Sequence, residues 1–492
     1  MAIRKWDMKL LAVLLLAFGL RLWAAHWDPY LNTWDECVHA LVAKRVAAHP
    51  LTPTLFDERA LQLGMEDWTS CHVWLHKPPL FLWLMAISLK LFGGGLLALR
   101  LPSVLAGTAM VYFTHGLART FAPKAALVAA VLMACLHWSL TLVAGASMTD
   151  HNDAIFLALV VGSFWAFFTR RGPSQVWLTA LFAGAAVLTK WLPGLIVYVA
   201  WAAVVVGAPR YQRWPELKGL LLSLSIVLVV AAPWYISAWM RFPVEMAHEM
   251  RQSARHFSEV VEGHGGGPRF YWDAIGEVVR PFPPWMLFAV LVLFCCCMPA
   301  RAHRWPVFAL VAVTFTFYSL AATKMTSYVL FTLPFFLIAL ASIILWLAER
   351  VPEGSLRKVM VVLLSGGAAI AVLQWGRYRR THGDLVASEP FFSEYRHTHL
   401  RNQRAIAALG ERLRGEANVV LFHVPFPADL EYAFFQPQEA LAILPDEAMI
   451  ARLKAEGRRM VVVDPDTTDG KPLDPALDPL FLGADGFVHT PL

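Results

Sequence analysis

Apolar runs of bilayer-crossing length recur from Met8 to about Trp375, separated by short stretches rich in Arg, Lys, Pro and Gly. A helical crossing needs about 20 apolar residues, and Leu/Ala/Val-rich runs of that length are too long for barrel strands. Unpaired amides are not tolerated in lipid, so the pattern predicts a polytopic α-helical membrane protein. The candidate spans are a first helix within 1–25, then 101–118, 125–145, 153–169, 175–190, 192–208, 218–238, 283–299, 305–322, 327–347 and 357–375. The overall expectation is about 11 to 13 transmembrane helices.

Charge sets the orientation. The start is basic (Arg4, Lys5, Lys9) with no small-residue cleavage site after it, which reads as an uncleaved first helix with a cytoplasmic amino terminus. Counting from there, Arg119 and Lys124, Arg170-Arg171, Arg210 to Arg213, Arg301 to Arg304 and Arg350 to Lys358 all fall on the cytoplasmic side, as the positive-inside rule requires. That parity needs Leu80 to Phe92, apolar but short and interrupted by Lys90, to be a re-entrant or interfacial helix. The loops 28–100, 146–152 and 239–282 then share the extracytoplasmic face and are expected to build a site within a domain of residues 1–375.

After Trp375 the pattern changes. Polar residues increase, β-type runs appear at Asn418 to His423 and Met460 to Asp464, and helical stretches lie at Arg401 to Arg414 and Asp446 to Glu456. Residues 376–492 are therefore expected to form a small extracytoplasmic α/β domain. No glycine-rich phosphate loop follows its first strand, which favours a structural or acceptor-docking role over nucleotide binding.

Composition agrees: 58% of the 492 residues are hydrophobic and 16% charged, with a mean hydropathy of +0.52. The net charge of +6 is accounted for by basic residues at helix ends, which argues against nucleic acid as a partner. Of six cysteines, Cys37 and Cys71 share the first outer loop, where they either pair or remain free thiols.

The polar residues with chemical potential gather on the outer side. Asp35-Glu36 opens a short amphipathic stretch in which Val38, Leu41, Val42 and Val46 are expected to rest on the membrane while Lys44 and Arg45 face water. The pair serves either catalysis or the helix amino terminus. Lys77, ahead of Pro78-Pro79, either snorkels to lipid headgroups or binds one phosphate. Asp150 and Asp153 open another span, where a carboxylate in or near lipid points to function unless it caps the helix. The 241–280 loop carries His248, Arg255, His264 and Arg269 with three glycines, and reads as a lid or as an ordinary solvated loop. Lys324 and Tyr328 flank a tight outer turn, meeting a phosphate or marking the interface.

The succession WDE, HKPPLFLWLMAISLKLFG, LRLPSVLAG, SMTDHNDAIF and TKMTSYVLFTLP resembles the ArnT-like and protein O-mannosyltransferase-like bacterial membrane glycosyltransferases of the GT-C superfamily, over about Arg21 to Pro334. The resemblance implies transfer of a sugar, with inversion, from a polyprenyl-phosphate donor such as undecaprenyl phosphate to a lipid or protein acceptor at the extracytoplasmic face of a bacterial inner membrane. It implies Asp35 as catalytic acid with Glu36 its companion, Asp150 as the second-loop acid, and Lys77, Arg255, Arg269, Lys324 and Tyr328 as substrate or phosphate contacts. Where the family has Glu-Lys-Pro-Pro this chain has His76, and His76 with His264 is the candidate pair for a divalent metal (Zn, or Mg/Mn). The rival reading, a flippase of lipid-linked sugars, expects ionisable groups at mid-membrane within repeated halves; an assembly factor without activity is a third.

Overall fold

The computed structural model describes residues 7–56, 68–69, 71–146, 151–374, 378–381, 384–387, 390–464, 473–483 and 486–488. It divides into two compact units. The first comprises Met1–Ala25, Lys77–Phe81 and Leu101–Trp375, and the second His26–His76, Leu82–Arg100 and Gly376–Leu492.

The first unit is helical. Among the described residues, six helices are long and apolar enough to cross a membrane: Met8–Trp27, Leu96–Phe121, His151–Thr169, Arg210–Arg241, Thr326–Ala348 and Ser355–Leu373. A seventh is the pair Pro123–Cys135 and His137–Val143, bent by 49° at its break. Of the other candidate spans, two are shorter apolar helices, Pro284–Cys297 and Leu192–Gly207, and two are unbroken helices, Pro173–Lys190 and Arg301–Leu320. Leu80–Phe92, most of which belongs to the second unit, is likewise a short apolar helix.

Two features explain the interruptions. At the bend, Arg21 is fully buried and donates to the carbonyls of Met133 (3.2 Å) and Ala134 (3.2 Å) and to Ser139 Oγ (2.9 Å). A helix ending within apolar surroundings leaves carbonyls that need such a donor. After Lys190 the chain turns through Trp191 (φ 61°) and the short 3-10 helix Leu192–Leu195. There a Cβ on Gly194 would lie 2.6 Å from Val187 N, so only glycine lets the turn approach the preceding helix so closely.

The second unit contains a four-stranded parallel sheet of order β4-β3-β5-β6, where β3 is Val419–Phe422, β4 Glu439–Ala440, β5 Arg459–Val463 and β6 Leu477–Leu480. A separate antiparallel hairpin joins β1 (Tyr378–Thr381) to β2 (Asp384–Ala387). Strands buried on both faces are apolar throughout rather than alternating, which is why VVLF and MVVV read as they do. Ile406, Leu409, Val419, Leu421, Val461 and Tyr432 belong to one core cluster.

Helix Asp35–Ala48 belongs to this unit and packs against helix Ala428–Phe435, which corrects the expectation of an interfacial helix. Val38, Leu41, Val42 and Val46 are indeed its apolar positions, but all are at most 1% exposed within the protein. Lys44 and Arg45 do not face water. Lys44 Nζ donates to the carbonyls of Ala433 (2.7 Å) and Gln436 (2.8 Å), capping the partner helix, and Arg45 pairs with Glu439. Burial pulls the Lys44 ammonium down to about 8. Cys37 and Cys71 are buried; their thiols donate to the carbonyls of Asn32 and Trp68 respectively.

Candidate active site

In the second unit the acidic pair divides its roles. Asp35 is the first residue of its helix, where the helix dipole favours negative charge. Its side chain is 15% exposed, with Oδ1 3.7 Å from His39 Nε2. Glu36 is 1% exposed and its carboxylate is enclosed. Oε1 accepts from Arg100 Nε (2.7 Å) and Oε2 from Arg100 Nη2 (3.0 Å), while Oε2 also accepts from Asn32 N (2.7 Å) and Nδ2 (3.0 Å). Arg100, fully buried, also donates to the carbonyls of Asp28 and Tyr30 at 2.7 Å each. The planar fork of arginine suits this two-point grip, and a lysine would not reproduce it.

Between the acids and the preceding chain stands Trp34, with φ 70° and ψ −113°. Positive φ on a bulky residue is sterically costly and concentrates at functional sites. The indole is 40% exposed and lies 5.2 Å from the Phe426 ring.

In the first unit, three consecutive residues fasten the start of helix His151–Thr169. His151 Nδ1 lies 2.8 Å from Ser103 Oγ, Asn152 Nδ2 donates to the Thr189 carbonyl at 2.7 Å, and Lys190 Nζ donates to Asp153 Oδ1 at 2.5 Å. The same ammonium lies 5.5 Å from the centre of the Tyr328 ring, within the range of a cation–π attraction. Asp153, suspect as a carboxylate in an apolar span, is therefore a buried ion-pair partner. Asp150 lies outside the described residues. Lys77 is half-buried, directly ahead of Pro78-Pro79 and helix Leu80–Phe92.

The remaining sequence candidates lie as follows. Lys324 is buried and donates to the carbonyls of Ser319 (3.0 Å) and Ala321 (2.5 Å), so in this conformation its charge closes the end of helix Arg301–Leu320. Its backbone N–H bonds the His264 carbonyl at 2.7 Å, tying the loop to the turn. Arg255 is exposed and pairs at 2.8 Å with Glu259, the residue just past the end of its own helix. Arg269 is exposed at the N-cap of helix Phe270–Val278.

His76 stacks on Trp68, centroids 5.1 Å apart and planes 12° apart. His264 lies 4.0 Å from Glu262. Among the described residues no group of three or more His, Cys, Asp or Glu is placed to hold a metal ion. Two imidazoles, His76 and His264, are fewer than the four ligands of a closed zinc site.

Sequence reasoning missed Arg100 and, while placing Lys190 in an outer turn, gave it no role. The signal for Arg100 was a cation interrupting the apolar LRLPSVLAG run, where a charge needs a partner.

Comparison with known proteins agrees with this architecture. Residues 76–237 match the dolichyl-phosphate-mannose-protein mannosyltransferase family. The crystal structure of ArnT from Cupriavidus metallidurans bound to undecaprenyl phosphate superposes with a TM-score of 0.64 at 14% identity, over 93% of this chain and 89% of that one.

The chain has the GT-C fold.

A second GT-C structure, the Archaeoglobus fulgidus oligosaccharyltransferase in its apo form, gives a TM-score of 0.54 at 13% identity, over 91% of this chain and 66% of that one. In sequence, the undecaprenyl phosphate-alpha-4-amino-4-deoxy-L-arabinose arabinosyl transferase of Pseudomonas aeruginosa (strain LESB58) is 31% identical over 248 residues, 47% of this chain. The matched stretch spans 40% of that relative's length. The motif-based resemblance to the ArnT-like and O-mannosyltransferase-like GT-C proteins is thus borne out.

Proposed function

We propose that the protein is a membrane glycosyltransferase moving a sugar from a polyprenyl-phosphate donor to a lipid or protein acceptor at the extracytoplasmic face of a bacterial inner membrane, with inversion at the anomeric carbon. The observation that carries this reading is the acid pair on its GT-C scaffold: Glu36 is locked by Arg100 with its side chain closed to solvent, whereas the Asp35 side chain stays partly exposed at a helix amino terminus. A base must reach the proton it removes, and of the two carboxylates only Asp35 retains that access.

In the proposed reaction Asp35 takes the proton of the acceptor hydroxyl as that oxygen bonds to the anomeric carbon. The bond from that carbon to the phosphate oxygen breaks on the opposite face, and its electron pair leaves with the polyprenyl phosphate. Lys77, with Arg255 and Arg269 of the glycine-bearing loop, would stabilise the charge growing on that phosphate. Asp150 would orient the sugar or acceptor. Glu36 acts through Arg100, holding the loop rather than touching substrate.

The reading is tested in membranes containing the wild-type chain, Asp35→Asn or Lys77→Ala, incubated with undecaprenyl phosphate carrying radiolabelled aminoarabinose or mannose. Wild-type protein should move label from carrier to acceptor, and both variants should lose about 100-fold or more in rate. Full transfer by both variants would refute the assignment, and label that stays on its carrier but changes leaflet would indicate a flippase.

A further inference from the structure

Residues 31–34, which lead into Asp35, are held by the carboxy-terminal part of their own unit. Leu31 N donates to Glu431 Oε1 at 2.7 Å. Thr33 N donates to the Tyr395 hydroxyl at 2.6 Å, and that hydroxyl donates back to Thr33 Oγ1 at 2.8 Å. His399 Nε2 lies 3.0 Å from the same Oγ1, and the Trp34 indole leans on Phe426. Asn32, between them, is bound from within the loop by Glu36.

One residue upstream, Tyr30 stacks on His399 with centroids 4.7 Å and planes 15° apart. Asp28 pairs with Arg396, both at most 9% exposed. Gln403 donates to Glu431 as well.

A strained conformation such as that of Trp34 persists only where its surroundings over-determine it. Here the peptides of Leu31 and Thr33 are pinned by hydrogen bonds and the Trp34 side chain by a ring contact, all from residues some 360 to 400 positions later in the chain. The first-loop helix does not impose this geometry alone, since its N-cap residue, Trp34, offers no side-chain capping bond.

We propose that Tyr395, His399 and Glu431 are positioning residues for Asp35, gripping the backbone of residues 31–33 so that the strained Trp34 peptide sets the carboxylate of the base in its working place. This gives the carboxy-terminal residues a part in the chemistry that acceptor docking would not require. The proposal rests on Asp35 being the base of the glycosyl transfer described above. A positioned base displaced by a fraction of an ångström loses rate while donor binding, set by other groups, is kept.

The test uses the full-length chain in detergent. Tyr395→Phe removes the hydroxyl but keeps the ring. Glu431→Gln keeps an acceptor for Leu31 N, whereas Glu431→Leu removes it. Hydrogen exchange across residues 29–37 is expected to quicken about fivefold in Tyr395→Phe and Glu431→Leu and to stay near wild type in Glu431→Gln.

With the labelled undecaprenyl phosphate sugar that the wild-type protein uses, kcat should fall about tenfold or more in the first two variants while donor KM changes less than twofold, and Glu431→Gln should be rescued. Unchanged exchange in Tyr395→Phe and Glu431→Leu would overturn the proposal. So would quickened exchange with undiminished kcat, or equal loss in Glu431→Gln and Glu431→Leu. A wild-type protein that transfers neither labelled sugar from undecaprenyl phosphate defeats the glycosyltransferase reading instead, which separates the two failures.

Discussion

The guanidinium of Arg100 meets the carboxylate of Glu36 at two points, Nε to Oε1 at 2.7 Å and Nη2 to Oε2 at 3.0 Å, with both side chains closed to solvent. Two charges buried together are tolerated because each satisfies the other, and removing either leaves the survivor uncompensated. Arg100→Met is therefore expected to cost about 3 to 5 kcal/mol of stability. Combining it with Glu36→Met should recover part of the loss in thermal unfolding of the purified protein, since the double variant buries no lone charge. Losses that simply add would mean that the two groups act separately.

Lys190 and Asp153 form a second such pair, at 2.5 Å, with side chains 17% and 4% exposed. Lys190→Gln alone should destabilise by about 3 kcal/mol, and Asp153→Asn alone by a similar amount. The double variant should be milder than the sum, because two neutral amides can still hydrogen bond. Unfolding midpoints of the four proteins close this cycle.

Glu431 gives stability a pH signature. Burial pushes its carboxyl up to about 8, partly opposed by hydrogen bonds from Leu31 and Gln403. The folded state thus holds this proton more tightly than the unfolded chain, so the contribution is complete below the ordinary glutamate range and is lost as pH rises from there through about 8. Glu431→Gln removes that dependence. The midpoint of the wild type minus that of the variant should be largest near the ordinary glutamate pKa of about 4.3 and shrink steadily as pH climbs past the folded-state value. A difference constant across this range would contradict the assignment.

Gly194 offers a steric test. A Cβ there would press on Ala186 and Val187 at 2.6 to 2.9 Å, the nearest atoms being backbone, which cannot swing aside as a side chain can. Gly194→Ala is expected to destabilise by about 1 to 3 kcal/mol, read as a lower unfolding midpoint. By contrast, a Cβ added at Gly366 would meet nothing within 4 Å. Gly366→Ala, in helix Ser355–Leu373, should be neutral or slightly stabilising because alanine is the better helix former.

What could be read from sequence followed physical reach. The membrane class, the two β-type runs and helix Leu80–Phe92 are local patterns, and hydropathy of period 3.6 or unbroken Val runs announce them. Asp153 was visible as a carboxylate in an apolar segment, but its partner was not, because Lys190 ends a different helix. Lys324 looked like a free cation at a boundary, whereas helix ends consume such cations.

Lys44 and Arg45 were misplaced for the same reason. Amphipathicity tells which face is apolar but not what covers the polar one, and here the cover is 389 and 394 residues away.

That separation in sequence bears on the order of events during synthesis. The helix bearing Asp35 emerges among the first fifty residues, yet the groups that hold its approach, Tyr395, His399 and Glu431, are translated after every candidate span. Chains build up from the amino terminus as they leave the ribosome. On the reading above, the base stays unset while the helices are being inserted, and a product that stops short of residue 431 remains in the bilayer as an inert scaffold.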